Sequence, residues 1–178
     1  TSSSVTPDLA VMRRAIAYHR SPDPQAARAE IDRLATMRPS DPFVHELRGQ
    51  ILLENRDLDG AVDAYARAAK LAPRNALILG GLGRAYLAAG QTEHAMDTLT
   101  RARARDSRNP GLLRDLAVAH SKLGQNGQAS LATAERYALL GRGADATLHA
   151  QRAAGLLPAG STGWRRAQDI LDAQARRK

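Results

Sequence analysis

The chain has 178 residues, 43% hydrophobic but only 3% aromatic, with a formal net charge of +8 and a pI near 10.7. Without cysteine it can form no disulfide and no thiolate metal site, and no apolar run is long enough to span a membrane. The basic balance raises nucleic acid as a partner, but so few aromatic side chains speak against a base-stacking platform.

In chain order, residues 1–7 read as a linker or disordered N-terminus. They are Ser-rich and begin at Thr1 without Met or a signal peptide, so the chain is expected to be a piece of a longer protein. From residue 8 onward the pattern is helical. Ala, Leu and Arg dominate, and no alternating strand pattern is present. Asp23-Pro24, Asp41-Pro42 and Asn109-Pro110 each put a capping side chain before a proline at the first helical position. Asp57 and Asn75 read as further caps. Gly90, Gly124 and Gly141 stand where helices end in a left-handed residue.

These elements repeat every 34 residues. Pro39, Pro73 and Ser107 are one period apart, as are Ala15, Gly49 and Gly83, then Tyr18, Leu52 and Tyr86. Ala27, Ala61 and Ala95 follow the same beat, and so do Ile31, Tyr65 and Leu99. Small, large, Ala, bulky and Pro at those places is the tetratricopeptide (TPR) signature, in which each repeat is a hairpin of helices A and B. The small residues allow the two helices to approach closely, so enlarging Gly83 is expected to overpack that contact.

Residues 8–41, 42–75 and 76–109 are three in-phase repeats. A half repeat covers 110–126, with Leu113, Leu116 and Ala117 in helix A places. The next full match starts early, at 127, and runs to 160 through Ala134, Tyr137, Gly141, Ala146, Ala150, Ala153 and Pro158. The helix at about 127–140 then serves two hairpins; plain drift of the repeat is the alternative, and both give the same number of helices. Residues 161–178 carry an apolar stripe of Trp164, Ala167, Leu171 and Ala175, read as a capping helix with Trp164 buried against the helix at about 143–156. The expected fold is all-α: an α-α superhelix (TPR solenoid) of about four to five hairpins with a C-terminal cap.

Catalytic signals are missing. HELRG at 45–49 begins like the zinc motif HExxH, but Gly49 stands where the second His is required. His19, His94, His120 and His149 are scattered, and His120 occupies a packing position. No nucleophile set, phosphate loop or paired acid site stands out, so no catalytic residue, cofactor or metal ligand is assigned. The Arg101, Arg103, Arg105 and Arg108 run ends a B helix, where cations favour the dipole and form a solvated face.

Stacked TPR hairpins bind polypeptide in a groove lined by their A helices. The groove positions are Leu9, Met12, Ile16 and His19; Phe43, Glu46, Gln50 and Leu53; Leu77, Gly80, Arg84 and Leu87; Gly111, Arg114, Val118 and Ser121. The face is apolar at first, then mixed, then basic. Met12 and Ile16 replace the polar pair with which chaperone-tail adaptors of this class hold a dicarboxylate, which disfavours that class. The candidate binding residues are Met12, Ile16, Phe43, Glu46, Gln50, Leu53, Leu77, Arg84, Leu87, Arg114 and Val118.

The runs YHRSPDPQAARAEIDRL, PSDPFVHELRGQILLEN, AYARAAKLAPRNALI and GRGADATLHAQRAAGLLPAGSTGWRRAQDIL extend beyond a generic repeat match. Over about residues 8–172 they resemble the C-terminal TPR region of bacterial periplasmic HExxH zinc metallopeptidases of the outer-membrane assembly and quality-control type. The resemblance implies a periplasmic parent with a separate catalytic domain, which alone would hold zinc. It implies that this region packs on the protease domain and engages envelope protein substrates. A free-standing TPR scaffold in another bacterial assembly is the alternative, and nucleic-acid binding is a weaker one.

Overall fold

The computed structural model describes residues 7–20 and 23–176, without the side chains of 7–9 and 18–20. The expectations for residues 1–6 and for the side chains of Leu9, Tyr18 and His19 therefore lie outside the described residues. The described residues form ten α-helices and no strand: α1 (Pro7–Arg20), α2 (Pro24–Met37), α3 (Pro42–Glu54), α4 (Leu58–Leu71), α5 (Ala76–Ala88), α6 (Thr92–Arg103), α7 (Pro110–Lys122), α8 (Asn126–Leu139), α9 (Gly143–Leu156) and α10 (Thr162–Ala175). The architecture is all-α, of the α-α superhelix class.

Local chemistry sets the helix ends. Carboxylate or amide oxygens of Asp23, Asp41, Asp57, Asn75 and Asn109 accept from Ala26, Phe43, Gly60, Ile78 and Gly111 backbone N–H groups at 2.9–3.2 Å. Each removes one of the orphan donors of a first helical turn. The Ser161 hydroxyl does the same for Trp164 in α10, a cap the sequence reading did not single out. Gly90, Gly124 and Gly141 have φ of +77°, +71° and +72°. After α7 and α8 the chain then donates from Gln125 to the His120 carbonyl and from Arg142 to the Tyr137 carbonyl, each at 2.9 Å, closing the turn. Arg56, one period before Gly90, takes the same left-handed conformation at φ +63° despite its side chain.

The chain divides into two compact units, one ending at Ala89 and the other starting at Gly90. In the first, α1 pairs with α2 and α3 with α4, α2 packs on α3, and α5 packs on α4 and α3. One core cluster joins Val11, Ala15, Ala27, Ile31, Leu34, Val44 and Ile51, all fully buried. Each larger member contributes about 1.5–3 kcal/mol by leaving water. A second joins Leu52, Ala61, Ala64, Tyr65, Leu82 and Ala85. Tyr65, only 2% exposed, is the wedge between α3 and α5. A Cβ added at Gly49 would lie 2.5 Å from its ring, and one added at Gly81 would meet the opposite edge, 2.7 Å from Cζ. The Tyr65 ring thus requires a residue as small as Gly49. Gly81, which the repeat pattern did not mark, serves the same ring.

In the second unit, α6 packs on α7, α7 on α8 and α8 on α9, while α10 lies on α9 and α8. The α10 contact centres on Ala167, buried with Leu131 and Ala153 and flanked by Ala154, Leu157 and Ile170. This corrects the expected stripe: Trp164 and Leu171 are half-buried and Ala175 is exposed, because Ile170 rather than Trp164 turns inward beside Ala167. In the Arg101–Arg108 run, Arg101, Arg105 and Arg108 are exposed, and Arg103 alone departs from the expected solvated face. Arg103 Nη2 donates to Glu135 Oε2 at 2.6 Å across from α6 to α8, and Arg166 of α10 pairs with the other Glu135 oxygen. Burial raises the Glu135 pKa above its ordinary value, and the Arg103 guanidinium pulls it back.

Candidate polypeptide-binding surfaces

In the first unit the apolar candidates separate into two groups. Phe43 and Leu77, at equivalent repeat positions near the starts of α3 and α5, are 52% and 60% exposed, and Ile16 of α1 is 38% exposed. Met12 and Leu53 are instead half-buried and packed against the two core clusters. Leu87, at 8% exposure, gives almost no surface to a partner, and Gly80 is buried. A recess of about 540 Å³ beside Phe43 is formed by the turn from Arg38 to Pro42.

Polar groups stand near this strip. Gln50 donates from Nε2 to Glu54 at 3.1 Å, one turn along α3. Burial raises the Glu46 pKa, and Arg84 of α5, itself exposed, opposes that shift. Burial also raises the Tyr65 phenol pKa, with the Glu46 carboxylate adding to the effect. Glu46, Arg84 and Tyr65 thus share one electrostatic neighbourhood that the sequence spacing only half revealed: Glu46 and Arg84 were named, and Tyr65 was assigned to packing alone.

His45 opens the broken zinc motif but is buried at the fourth position of its repeat, where Val11, Leu79 and Leu113 stand in the others. Its Nε2 lies 2.9 Å from the Pro39 carbonyl oxygen, which also accepts from Arg67 Nη2 at 3.3 Å. Arg67 Nε also donates to His45 Nε2 at 3.1 Å, and Nδ1 is buried without a hydrogen-bond partner. The ring therefore fastens the α2–α3 turn to the body of the unit.

In the second unit a cavity of about 670 Å³ opens among α7, α8 and α9. Arg114, Val118 and Ser121 of α7 line it. Arg136, His149 and Arg152 join them from α8 and α9, and the repeat pattern did not mark those. Gly111 is half-buried and not part of the lining. His120, expected to pack, bonds instead through Nδ1 to Gln125 Oε1 at 2.6 Å. Arg114 reaches the buried Asp115 carboxylate through Nε at 2.9 Å and Nη2 at 2.8 Å. The Tyr137 ring lies 5.5 Å from the His149 ring and carries the Arg142 guanidinium 4.5 Å above it. Burial lowers the His149 pKa, Arg152 lowers it further, and Asp145 opposes both.

Comparison with known proteins agrees with this architecture. Residues 52–110 match the tetratricopeptide repeat family. No curated protein sequence matches significantly. Among solved structures, a MamA protein is 15% identical with a TM-score of 0.71, covering 95% of this chain and 94% of its own. A MamA fragment from Desulfovibrio magneticus is 16% identical with a TM-score of 0.70, over 95% of this chain and 93% of its own. TTC0263, a TPR protein of Thermus thermophilus, is 19% identical with a TM-score of 0.60, over 92% and 98%. The fold is of the tetratricopeptide-repeat kind, a stack of helical hairpins. Among the described residues, no helix is long and apolar enough to cross a membrane.

Proposed function

We propose that this TPR scaffold is the non-catalytic tail of a periplasmic zinc metallopeptidase. In this reading it packs on the protease domain and engages envelope and outer-membrane protein substrates. The observation that carries it is the exposed apolar strip of Ile16, Phe43 and Leu77 beside Glu46 and Arg84. Large exposed apolar side chains on successive A helices, with Phe43 and Leu77 at equivalent places, suit a packed domain or an extended apolar segment better than water. The HELRGQ, LLEN and WRRAQDI segments support the choice of protease family, since apart from Gly49 and Leu52 their residues are not ones the TPR signature requires. Zinc belongs to the catalytic domain in this reading, and His45 serves the α2–α3 turn.

The coding sequence upstream of Thr1 gives the first test. An HExxH segment preceded by a signal peptide supports the proposal; their absence overturns it and leaves the free-standing scaffold. The second test titrates the chain with that separately expressed protease domain. Changing Phe43 and Leu77 together to Ser should weaken binding about tenfold or more while leaving the far-ultraviolet circular dichroism intact. Unchanged binding sinks the assignment of this strip. Metal analysis of chelator-free protein with a casein assay should find neither stoichiometric zinc nor peptidase activity, and one tightly held zinc per chain contradicts the reading of His45.

A further inference from the structure

The second unit carries a different kind of surface. The cavity among α7, α8 and α9 is lined by Arg114, Lys122, Arg136 and Arg152 together with His149, and by no carboxylate. Arg114 is spoken for by Asp115. Among the described residues, Lys122, Arg136 and Arg152 have no carboxylate within ion-pair reach. Arg142, nearby, is already bound to Asp145 at 2.8 Å. Three uncompensated cations around one concave space repel one another, and the concave wall focuses their field. An anion entering the cavity relieves that repulsion.

The rest of the lining narrows the kind of anion. Val118, Ala117, Ala129 and Leu156 supply apolar wall, and Ser121 and Ser130 supply hydroxyls. Single-stranded nucleic acid is held by flat aromatic faces for its bases, and the two rings here, His149 in the lining and Tyr137 behind it, lie 5.5 Å apart, with Tyr137 already carrying the Arg142 and Arg136 guanidinium groups. Apolar wall between cations suits a polypeptide in which acidic and aliphatic side chains alternate. A volume near 670 Å³ falls in the range of sites that enclose a small ligand or a few side chains.

We propose that the cavity among α7, α8 and α9 binds an acidic polypeptide segment, its carboxylates on Lys122, Arg136 and Arg152 and an aliphatic side chain against Val118 and Leu156. This rests on the reading of the chain as a polypeptide-binding scaffold, but it uses a surface in the other unit from the Phe43–Leu77 strip. The two can fail separately.

The test measures fluorescence anisotropy of a labelled dodecapeptide of alternating Glu and Asp with one central Leu, titrated with the whole chain at 0.15 M salt. Its Gln/Asn analogue and an oligothymidylate of equal charge serve as comparisons. The acidic peptide should bind, the amide analogue should bind about tenfold or more weakly, and affinity should fall as salt rises. R136E/R152E should weaken binding about tenfold or more. K122E/R152E should do the same and leaves in place Arg136, whose guanidinium lies 5.5 Å from the centre of the Tyr137 ring. R101E/R105E makes an equal charge change on exposed residues of the same unit and should lose only about twofold. The proposal is overturned by any of three results: no binding of the acidic peptide to the parent chain, equal losses in the cavity and surface variants, or tighter binding of the oligothymidylate. F43S/L77S should leave acidic-peptide binding unchanged, so a loss there points to the first unit instead.

Discussion

Tyr65 offers the sharpest test of how the first unit is held. Its ring is 2% exposed and stands between Gly49 of α3 and Gly81 of α5. In Gly49→Ala the new methyl would begin 2.5 Å from Cδ2 and 2.8 Å from Cγ and Cε2, where ordinary contact is 3.4–4 Å. The ring cannot retreat, because its other edge already meets the Gly81 backbone. Overpacking of this kind costs about 1–3 kcal/mol. Against it stands the gain of about 1 kcal/mol from replacing Gly by Ala inside a helix. The expected net change is a loss of up to about 2 kcal/mol with Tyr65 present. In a Tyr65→Ala background the clash is absent, and the same substitution should instead stabilise by about 1 kcal/mol relative to Tyr65→Ala alone. The coupling in the double-mutant cycle is therefore about 1–3 kcal/mol. Urea unfolding followed by circular dichroism measures it from the midpoints at constant slope. A stabilising Gly49→Ala in the parent chain, or a coupling near zero, refutes the wedge. Function is linked to it, since Tyr65 spaces the two helices that carry Phe43, Glu46, Leu77 and Arg84.

Arg56→Gly should raise stability by about 0.5–1 kcal/mol, because a left-handed turn strains any residue with a Cβ; a lower urea midpoint contradicts this. Arg103→Met should cost about 1–3 kcal/mol more at pH 7 than at pH 4. The sign follows from Glu135. Its folded pKa is raised above 4.5, so the cost of its buried charge is absent in acid and appears as pH rises through that raised value, and losing Arg103 raises it further. Equal losses at the two pH values would show that Arg103 acts through packing alone. Deleting residues 161–178 should expose Leu131, Ala153 and Leu157, lower the melting temperature and promote association visible in light scattering; a monomer with unchanged melting refutes the cap.

The sequence by itself determined the helices and their ends. A cap such as Asp57 acts on a backbone N–H three residues away, and Gly124 closes a turn within its own stretch of chain, so both are legible without knowing what packs where. The 34-residue period likewise marked Ala15, Ala27, Ile31, Ala61 and Ala150 as interior, because a stacked repeat buries the same face each time. The tertiary structure alone decided which side chains meet. Gly81 is small for a ring in another helix, Arg103 leaves its solvated run for Glu135 across 32 residues of chain, and Ile170 turns inward where Trp164 was expected. The same holds for the two surfaces. Met12 and Leu53 have the composition of a groove but are drawn into the core clusters, while Arg136 and Arg152, at positions the groove pattern does not mark, converge on one cavity from the two helices of the last hairpin. Local hydrogen bonds need only neighbouring residues, whereas a wedge, an ion pair or a cavity depends on the crossing of helices. That crossing is fixed by the summed packing of many side chains, no one of which announces it.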